Sequence, residues 1–235
     1  MALALVAAGQ AVATPPNIIL EAAYAEPTTR YDHGVLGDAL EWGALRLKVD
    51  FCTGCEGRDV RDILIRLPEH RVFEDIAPRL VDVEGAGASA VMVVESDLEN
   101  GARLALYHEG GLLAATPFIG QRHRWLAPVG AADLDGDGTI ELAYVDRPHL
   151  AKTLRVWRFD GRSLSEVAAM QGVTNHKIGW DYIAGGIRTC GDGPEMIVAS
   201  ADWTRILAVR FTGALMSRNI APYEADTMRR ALSCK

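Results

Sequence analysis

The chain is poor in aromatic residues and cysteine, and it lacks a long apolar run. Phe, Trp and Tyr make up 7% of its 235 residues, and there are four cysteines. The first apolar run, Ala2–Ala8, is far shorter than the roughly 20 residues that cross a bilayer as a helix. No later segment is apolar enough to anchor the chain, so we expect no transmembrane segment.

Positive charge is also scarce. The 24 Lys and Arg residues are outnumbered by 31 Asp and Glu, which leaves a net charge of −7, and the basic residues are scattered. Proteins bind nucleic acid by neutralising phosphates with Lys and Arg, so we predict no nucleic-acid partner. At 49% hydrophobic and 23% charged residues, the composition is that of a folded domain.

Several catalytic signatures are missing as well. The sequence contains no G-x-S-x-G nucleophile elbow, no H-E-x-x-H zinc motif and no phosphate-binding glycine loop. These patterns place a nucleophile, a metal or a phosphate by their spacing. Their absence removes the main sequence support for serine hydrolases, zinc peptidases and nucleotide-binding enzymes.

The first 13 residues carry no charge and end in Ala11–Ala13, a small-x-small triplet like a signal-peptidase site. We predict a signal peptide over residues 1–13 and a secreted or periplasmic protein. The segment lacks the usual Lys or Arg near its start, so an apolar first strand or a frayed terminus is the alternative.

The four cysteines permit two disulfides. We predict Cys52–Cys55 and Cys190–Cys234, the second of which would attach the C-terminal tail to the body. A thioredoxin-like redox pair should begin a helix after a strand, and a zinc knuckle needs a second cysteine pair nearby. The sequence around Cys52 offers neither, and free thiols are the remaining option.

Glycine, in contrast, is abundant, with 23 residues, and much of it marks a repeat. Turn glycines at positions 37, 85, 136 and 191 each precede a strand-like apolar segment, and three later segments end on glycine: Arg103–Gly110, Leu154–Gly161 and Ile206–Gly213. A period of about 50 residues with some four short strands is typical of a β-propeller. A β-sandwich also uses short strands, but the matched copies favour the propeller.

We therefore predict an all-β fold, a β-propeller of about four blades with four antiparallel strands each. It would form a single domain over residues 14–235, with repeats at approximately 17–70, 71–120, 121–170 and 171–235. Residues 17–24 are expected to supply a closing strand to the last blade. The strands predicted in the third repeat are Leu126–Ala132, Glu141–Asp146, Thr153–Phe159 and Ser163–Met170.

One segment has a clear chemical character: residues 133–141 read DLDGDGTIE. Hard oxygen ligands on alternate residues, wrapped by glycines, suit Ca²⁺, whereas Mg²⁺ prefers fewer protein ligands. We predict calcium as the cofactor, and a solvated acidic turn without metal is the alternative. The twelfth loop position is not a glutamate, so the loop is not an EF-hand. The predicted ligands are Asp133, Asp135, Asp137, Glu141 and the carbonyl of Thr139.

Residues 127–145 around this motif resemble the FG-GAP or VCBS-type repeat of integrin α-subunit propellers and many secreted bacterial proteins. The resemblance implies a propeller in which the acidic loop joins the first two strands of a blade and supplies the same calcium ligands. Other copies depart from the pattern: the second has Ala86 and Ala90 at later ligand positions, and the fourth has Arg188 and Cys190 at the first two. We expect one calcium site.

Two tryptophans share a repeat position, eleven residues before the turn glycine, and polar residues lie near them. We place this position at the start of the innermost strand, on the channel face opposite the calcium turns. Stacking and charged hydrogen bonds there would bind a protein or carbohydrate ligand, and packing between blades is the alternative. The candidate ligand-binding residues are Trp125, Trp180, His123, Arg124, Asp181 and Tyr182.

His33 and His176 lie near acidic residues in the sequence and are candidates for proton transfer. A lone histidine near a channel is more often structural, so we interpret the chain as an exported, calcium-binding module for binding or adhesion without an activity of its own. One alternative is a carbohydrate-active hydrolase or lyase that uses these histidines. Another is a structural repeat region of a cell-surface assembly.

Overall fold

The computed structural model of the protein describes residues 17–52 and 56–235. The predicted signal peptide lies outside the described residues, as does Cys55. The signal peptide and the Cys52–Cys55 pairing therefore stay predictions.

The described chain is all-β, with 17 strands and one helix. In chain order the elements are β1 (Ile18–Thr28), β2 (Glu41–Asp50), β3 (Val60–Arg66), β4 (Arg71–Phe73), β5 (Arg79–Val81), β6 (Ala90–Asp97), β7 (Gly101–His108), β8 (Gly111–Ala115), β9 (Leu126–Ala132), β10 (Glu141–Asp146), β11 (Thr153–Phe159), β12 (Leu164–Gln171), β13 (Val173–Thr174), β14 (Gly186–Thr189), β15 (Pro194–Ser200), β16 (Arg205–Phe211), β17 (Leu215–Pro222) and α1 (Ala225–Leu232).

The strands form successive antiparallel meanders: β1–β2–β3, β5–β6–β7–β8, β9–β10–β11–β12 and β14–β15–β16–β17. Strand β4 joins the first two meanders into one sheet, because it pairs with both β2 and β6. In the third meander, β9, β10 and β11 have the predicted bounds, and β12 is shifted by one residue. The strand assignment for this repeat is confirmed.

The expected pairing of residues 17–24 with the last repeat is wrong. Strand β1 pairs with β2 along its whole length, from Ile18 opposite Asp50 to Thr28 opposite Glu41. Ile19 is buried in the same apolar cluster as Leu45 of β2. This cluster lies between the first two meanders, far along the chain from the last repeat, and it buries the start of β1 there.

The four meanders stack as layers, each packed face to face on the next. Strand β6 shows why: Val91 and Val93 belong to the core shared with the first layer, and Met92 and Val94 to the core shared with the third. Because alternate side chains point to opposite faces, a strand covered on both faces reads as a nearly continuous apolar run. All eight residues of β6 are buried. A further core joins the third layer to the fourth.

The two outermost faces are covered differently. On β2, Arg46 is exposed on the face opposite Leu45, so the first layer turns a polar face to solvent. The last layer packs its outer face on α1, with Met228 and Ala231 in the same cluster as strands β15 and β16. No helix in the part of the chain that the structure describes is long and apolar enough to cross a membrane.

The Cys190–Cys234 disulfide is confirmed, with a Cα–Cα distance of 5.5 Å. It connects the turn between β14 and β15 to the residues just after α1. The C-terminal helix is thereby attached covalently to the sheet on which it packs, as the sequence predicted.

The register of the first strand is not regular in every meander. In the third layer Gly130 pairs with Ala143 and Pro128 with Tyr144, so Val129 forms a one-residue bulge within β9. In the fourth layer Gly186 and Thr174 both pair with β15, and residues 175–185 lie between them. We call residues 175–185 the insertion loop. Residues 74–78 form a shorter interruption between β4 and β5.

This register corrects the sequence alignment of the two tryptophans. Trp125 directly precedes β9, whereas Trp180 lies within the insertion loop, well before β14 begins. Each tryptophan lies eleven residues before its turn glycine because two differences cancel. In the fourth unit more residues separate the tryptophan from the strand, and fewer residues separate the start of the strand from the glycine. Trp125 and Trp180 are therefore not structural equivalents.

Candidate functional site

The acidic loop joins β9 to β10 and is folded around Asp133. The Asp133 carboxylate accepts hydrogen bonds from the backbone amides of Gly136 at 2.8 Å and Gly138 at 2.9 Å. Both glycines have positive φ, +82° and +88°, a conformation that L side chains rarely adopt. The glycines of the motif are thus required for the loop to close on its first carboxylate.

Three of the four predicted carboxylates come together. Asp133, Asp135 and Glu141 each offer an oxygen, and these atoms lie within 4.8 Å of one another. Calcium binds oxygens at 2.3–2.6 Å, so oxygens on opposite sides of the ion lie roughly 5 Å apart, and this group fits it. Asp137 is outside the group, and its carboxylate accepts a hydrogen bond from the Thr139 amide at 2.8 Å.

Sequence reasoning missed Arg158, which also belongs to this site. Its guanidinium donates to Glu141 Oε1 at 2.6 Å and to Asp135 Oδ2 at 2.5 Å, and a third nitrogen lies 3.1 Å from Asp137 Oδ2. Arg158 would compete with a metal for two of the three converging carboxylates. The register of the β10–β11 hairpin identifies this residue, because it places Arg158 directly opposite Glu141.

Glu141 is the buried anchor of the site. Its side chain is fully buried, and Oε2 accepts a hydrogen bond from the Leu134 amide at 2.9 Å. Burial raises the pKa of this carboxyl, while the Leu134 amide and Arg158 oppose the shift. A cation at this position, whether the guanidinium or a metal, favours the charged form of this carboxyl against the effect of burial.

The opposite end of the layers carries a second cluster. Trp125 precedes β9 and the acidic loop follows it, so the seven-residue strand separates the two places by roughly 23 Å. Trp125 therefore lies at the end of β9 opposite the acidic loop. The segments 29–40, 74–78 and 119–125 meet there with the insertion loop, and the Gly179 amide donates to the Val35 carbonyl at 3.2 Å.

Glu74 lies at the centre of this cluster and is fully buried. His33 Nδ1 is 2.5 Å from Glu74 Oε1, and the Ser96 hydroxyl donates to Oε2. Burial raises the pKa of Glu74, against the hydrogen bonds from His33 and Ser96. His33 is thus brought within hydrogen-bond reach of a carboxylate, although that carboxylate is distant in sequence and was not named as its partner.

A second histidine stacks on the first. The rings of His33 and His123 have centroids 5.2 Å apart and planes within 12°, and His123 Nε2 is 2.8 Å from Asp32 Oδ1. His123 and Arg147 have positive φ, 56° and 44°, which is unusual outside glycine and concentrates at functional positions. His33, His123, Arg124 and Arg147 line a cleft of about 30 Å³, which has room for roughly one or two waters.

His176 has a structural position. It is 1% exposed, and among the described residues its ring nitrogens contact His149 Nε2 at 3.0 Å and the Trp180 carbonyl at 2.9 Å rather than a carboxylate. Burial lowers the pKa of His176, and burial together with His176 and His33 lowers the pKa of His149 to about 4. Both rings are neutral at neutral pH, and nothing around His176 supports a catalytic role.

The two predicted ligand tryptophans have different surroundings. Trp125 is 2% exposed, its Nε1 donates to the Glu74 carbonyl at 2.8 Å, and its ring packs on His176. Trp125 therefore packs in the interior, which is the alternative to ligand binding given above for the two tryptophans. Trp180 instead stacks on Tyr182 with ring centroids 4.5 Å apart and contacts Trp203. Tyr182 is 43% exposed, and the neighbouring Asp181 is also exposed.

These aromatic residues adjoin a pocket of about 310 Å³ between the insertion loop and α1, lined by Tyr182, Tyr223, Met228 and Leu232 among others. Helix α1 has eight residues and is about 12 Å long. The pocket lies between this helix and residues 182–185 of the insertion loop, with Tyr223 at its edge.

The chain was also compared with known proteins. No protein-family model matches it, and no curated protein does so. The resemblance to the FG-GAP or VCBS-type repeat therefore depends on the residues of the acidic loop and on the repeat pattern.

Proposed function

We propose that this chain is an exported, calcium-binding module built from FG-GAP or VCBS-type propeller blades, and that it binds a carbohydrate ligand. Four antiparallel meanders in succession support the propeller, as does an acidic loop placed between the first two strands of a meander. The Cys190–Cys234 disulfide supports export, because disulfides persist in oxidising compartments. Three converging carboxylates support calcium.

The insertion loop carries the binding proposal. It presents the stacked pair Trp180–Tyr182 beside Trp203, and the Lys177 ammonium lies 5.1 Å and 4.7 Å from the two tryptophan ring centroids. Functional residues concentrate on loops held by a rigid scaffold, and aromatic faces with a polar edge suit ligands that are apolar on one side and polar on the other. Sugar rings have this character. The adjoining pocket of about 310 Å³ is at the lower end of the range of ligand sites.

A glycan array and a peptide array, each read with calcium and with a chelator, test this proposal. We expect glycan binding that falls at least tenfold in Tyr182→Ala. Leu112→Ala is the control, since Leu112 is 47% exposed on β8, far from the insertion loop in the chain, and should leave binding unchanged. Binding to peptides alone would assign a protein ligand and overturn the carbohydrate proposal. Blank arrays would leave the purely structural role as the better account.

His33 supports a second candidate, an acid–base enzyme acting on carbohydrate. Its ring is 2.5 Å from the buried Glu74 carboxylate and 17% exposed toward the cleft, an arrangement suited to proton transfer. A cleft of about 30 Å³ must open to admit a sugar, which is why we rank this candidate second. Depolymerisation assays on a polysaccharide panel test it: activity should be lost in His33→Ala and kept in His108→Ala, and activity that survives in His33→Ala would exclude it.

A further inference from the structure

The third and fourth layers share a glutamate–arginine pair at the same place. Glu141 begins β10 and faces Arg158 on β11. In the fourth layer, Glu195 near the start of β15 lies 3.7 Å from Arg210 on β16, and both arginines are followed by phenylalanine. The surroundings of the two pairs carry opposite charge. Aspartates surround the pair in the third layer, and arginines surround it in the fourth.

Three guanidinium groups converge on the single carboxylate of Glu195. Arg188 donates to Oε2 at 3.1 and 2.8 Å, Arg218 donates to Oε1 at 2.8 Å, and Arg210 is the third. Burial opposes the ionisation of Glu195, but the hydrogen bonds from Arg218 and Arg188 outweigh it and lower the pKa. The one negative charge of Glu195 thus faces three positive charges. Asp192 also lines the site and adds a second negative charge, so the site keeps one positive charge in excess.

The arginines differ in how fully they are used. Arg188 is 10% exposed and also donates to the Ala231 carbonyl at 2.6 Å, so its donors are used by Glu195 and by α1. Arg210 lies beyond hydrogen-bond distance of Glu195. Arg218 is 58% exposed and contacts Glu195 through one nitrogen. Arg210 and Arg218 therefore have donors free to face the cavity of about 520 Å³ that the three arginines line.

We propose that this cavity is an anion site, in which Arg210 and Arg218 bind an oxyanion group of a ligand while Arg188 and Glu195 hold the arginines in place. Guanidinium forks match phosphate, sulfate and carboxylate groups through paired hydrogen bonds. The cavity of about 520 Å³ is larger than a free oxyanion and leaves room for a larger molecule that carries such a group. The protein as a whole carries a charge of −7, so attraction of an anion here is a property of this site.

Isothermal titration and chemical-shift mapping with sodium sulfate, phosphate and acetate test the proposal, each against chloride at constant ionic strength. We expect at least one of the three oxyanions to bind in preference to chloride, and the strongest of them identifies the group. Arg218→Gln, at an exposed side chain, and Arg210→Gln should each weaken binding at least tenfold. Arg162→Gln is the matched control, an exposed arginine on the β11–β12 turn, and should bind as the wild type does.

Two results would overturn the proposal. The first is no preference for any oxyanion over chloride in the wild type. The second is wild-type affinity in both arginine variants, with the circular dichroism spectrum of each showing that it is folded. Arg210→Lys adds a check on geometry, because it keeps the charge and removes the fork. We expect intermediate affinity there, and affinity equal to that of the wild type would contradict a fork-mediated contact.

Discussion

Arg158 lies directly across the β10–β11 pair from Glu141, and its Nε donates to Glu141 Oε1 at 2.6 Å. The same guanidinium also contacts Asp135. The loop that resembles a calcium site therefore contains a cation of its own. A metal bound by Asp135 and Glu141 would compete with this guanidinium for the same carboxylates, so we expect Arg158 to weaken metal binding.

Calcium should stabilise the fold through the acidic loop. A ligand that binds only the folded state adds RT ln(1 + [L]/Kd), about 2.7 kcal/mol at a hundredfold excess over Kd. We expect a chelator to lower the melting temperature of the wild type by several degrees. Asp135→Asn, which removes one of the converging carboxylates, should lose this response. Thermal melts with calcium and with chelator measure both, and equal melting with and without calcium in the wild type would refute the metal assignment.

Removing the Arg158 guanidinium should lower the stability of the metal-free protein and raise its affinity for calcium. In chelator, Arg158→Gln leaves the buried Glu141 carboxylate with one partner fewer, and we expect a loss of about 1–3 kcal/mol. In calcium, the metal meets no competitor, and its affinity should rise at least tenfold. Calcium titration followed by melting of both proteins checks this. An unchanged affinity in Arg158→Gln would show that the arginine does not compete with the metal, and a weakened affinity would show that it supports the metal site.

Glu41 should make the fold less stable as the pH rises. Burial, together with Glu74, Asp38 and Asp75, raises its pKa to about 9 in the folded protein, from an ordinary value near 4.5. Between these values the folded state keeps the proton and the unfolded state loses it, so the free energy of unfolding falls as pH increases. Glu41→Gln cannot ionise and should be more stable at pH 7 by about 1–3 kcal/mol.

Melting curves from pH 4.5 to 8.5 give the decisive comparison. The advantage of Glu41→Gln over the wild type should be small at the acidic end and grow with pH. Glu21→Gln is the matched control, since Glu21 is exposed on the neighbouring strand β1. A stability difference that does not change with pH would show that Glu41 is charged in the folded state.

The Cys190–Cys234 disulfide should contribute substantially to stability. It closes a loop with a sequence separation of 44, which is worth about 4 kcal/mol in the chain-entropy model. We expect the Cys190→Ser/Cys234→Ser variant to melt roughly 8–16 °C lower. Because the bond attaches α1 to the sheet, the variant should also expose the pocket at Tyr223, which increased binding of a hydrophobic dye would report. Cys52→Ser/Cys55→Ser, across a far shorter loop, should lower the melting temperature much less.

Local patterns predicted the strands and the acidic loop because both depend on nearby residues. The third-layer strands follow from alternation and from glycine turns, and the folding of the loop around Asp133 follows from the glycines at 136 and 138. The insertion of residues 175–185 between β13 and β14, which both pair with β15, is not a local property, and neither is the pairing of β1 with β2. Both depend on contacts with a strand elsewhere in the chain.

The sequence by itself determined the all-β class, the repeated strand segments and the acidic loop, since each is specified by residue type and spacing along the chain. Four cysteines allow more than one pairing, and the fold decided that Cys190 pairs with Cys234. The tertiary structure alone decided which charges face each other: Arg158 with the acidic loop, His33 with Glu74, and three arginines with Glu195. These partners lie on different strands or loops, and their separation in space depends on strand register and layer packing. A one-residue shift in register moves a side chain to the other face of its sheet, so composition and spacing cannot specify such contacts.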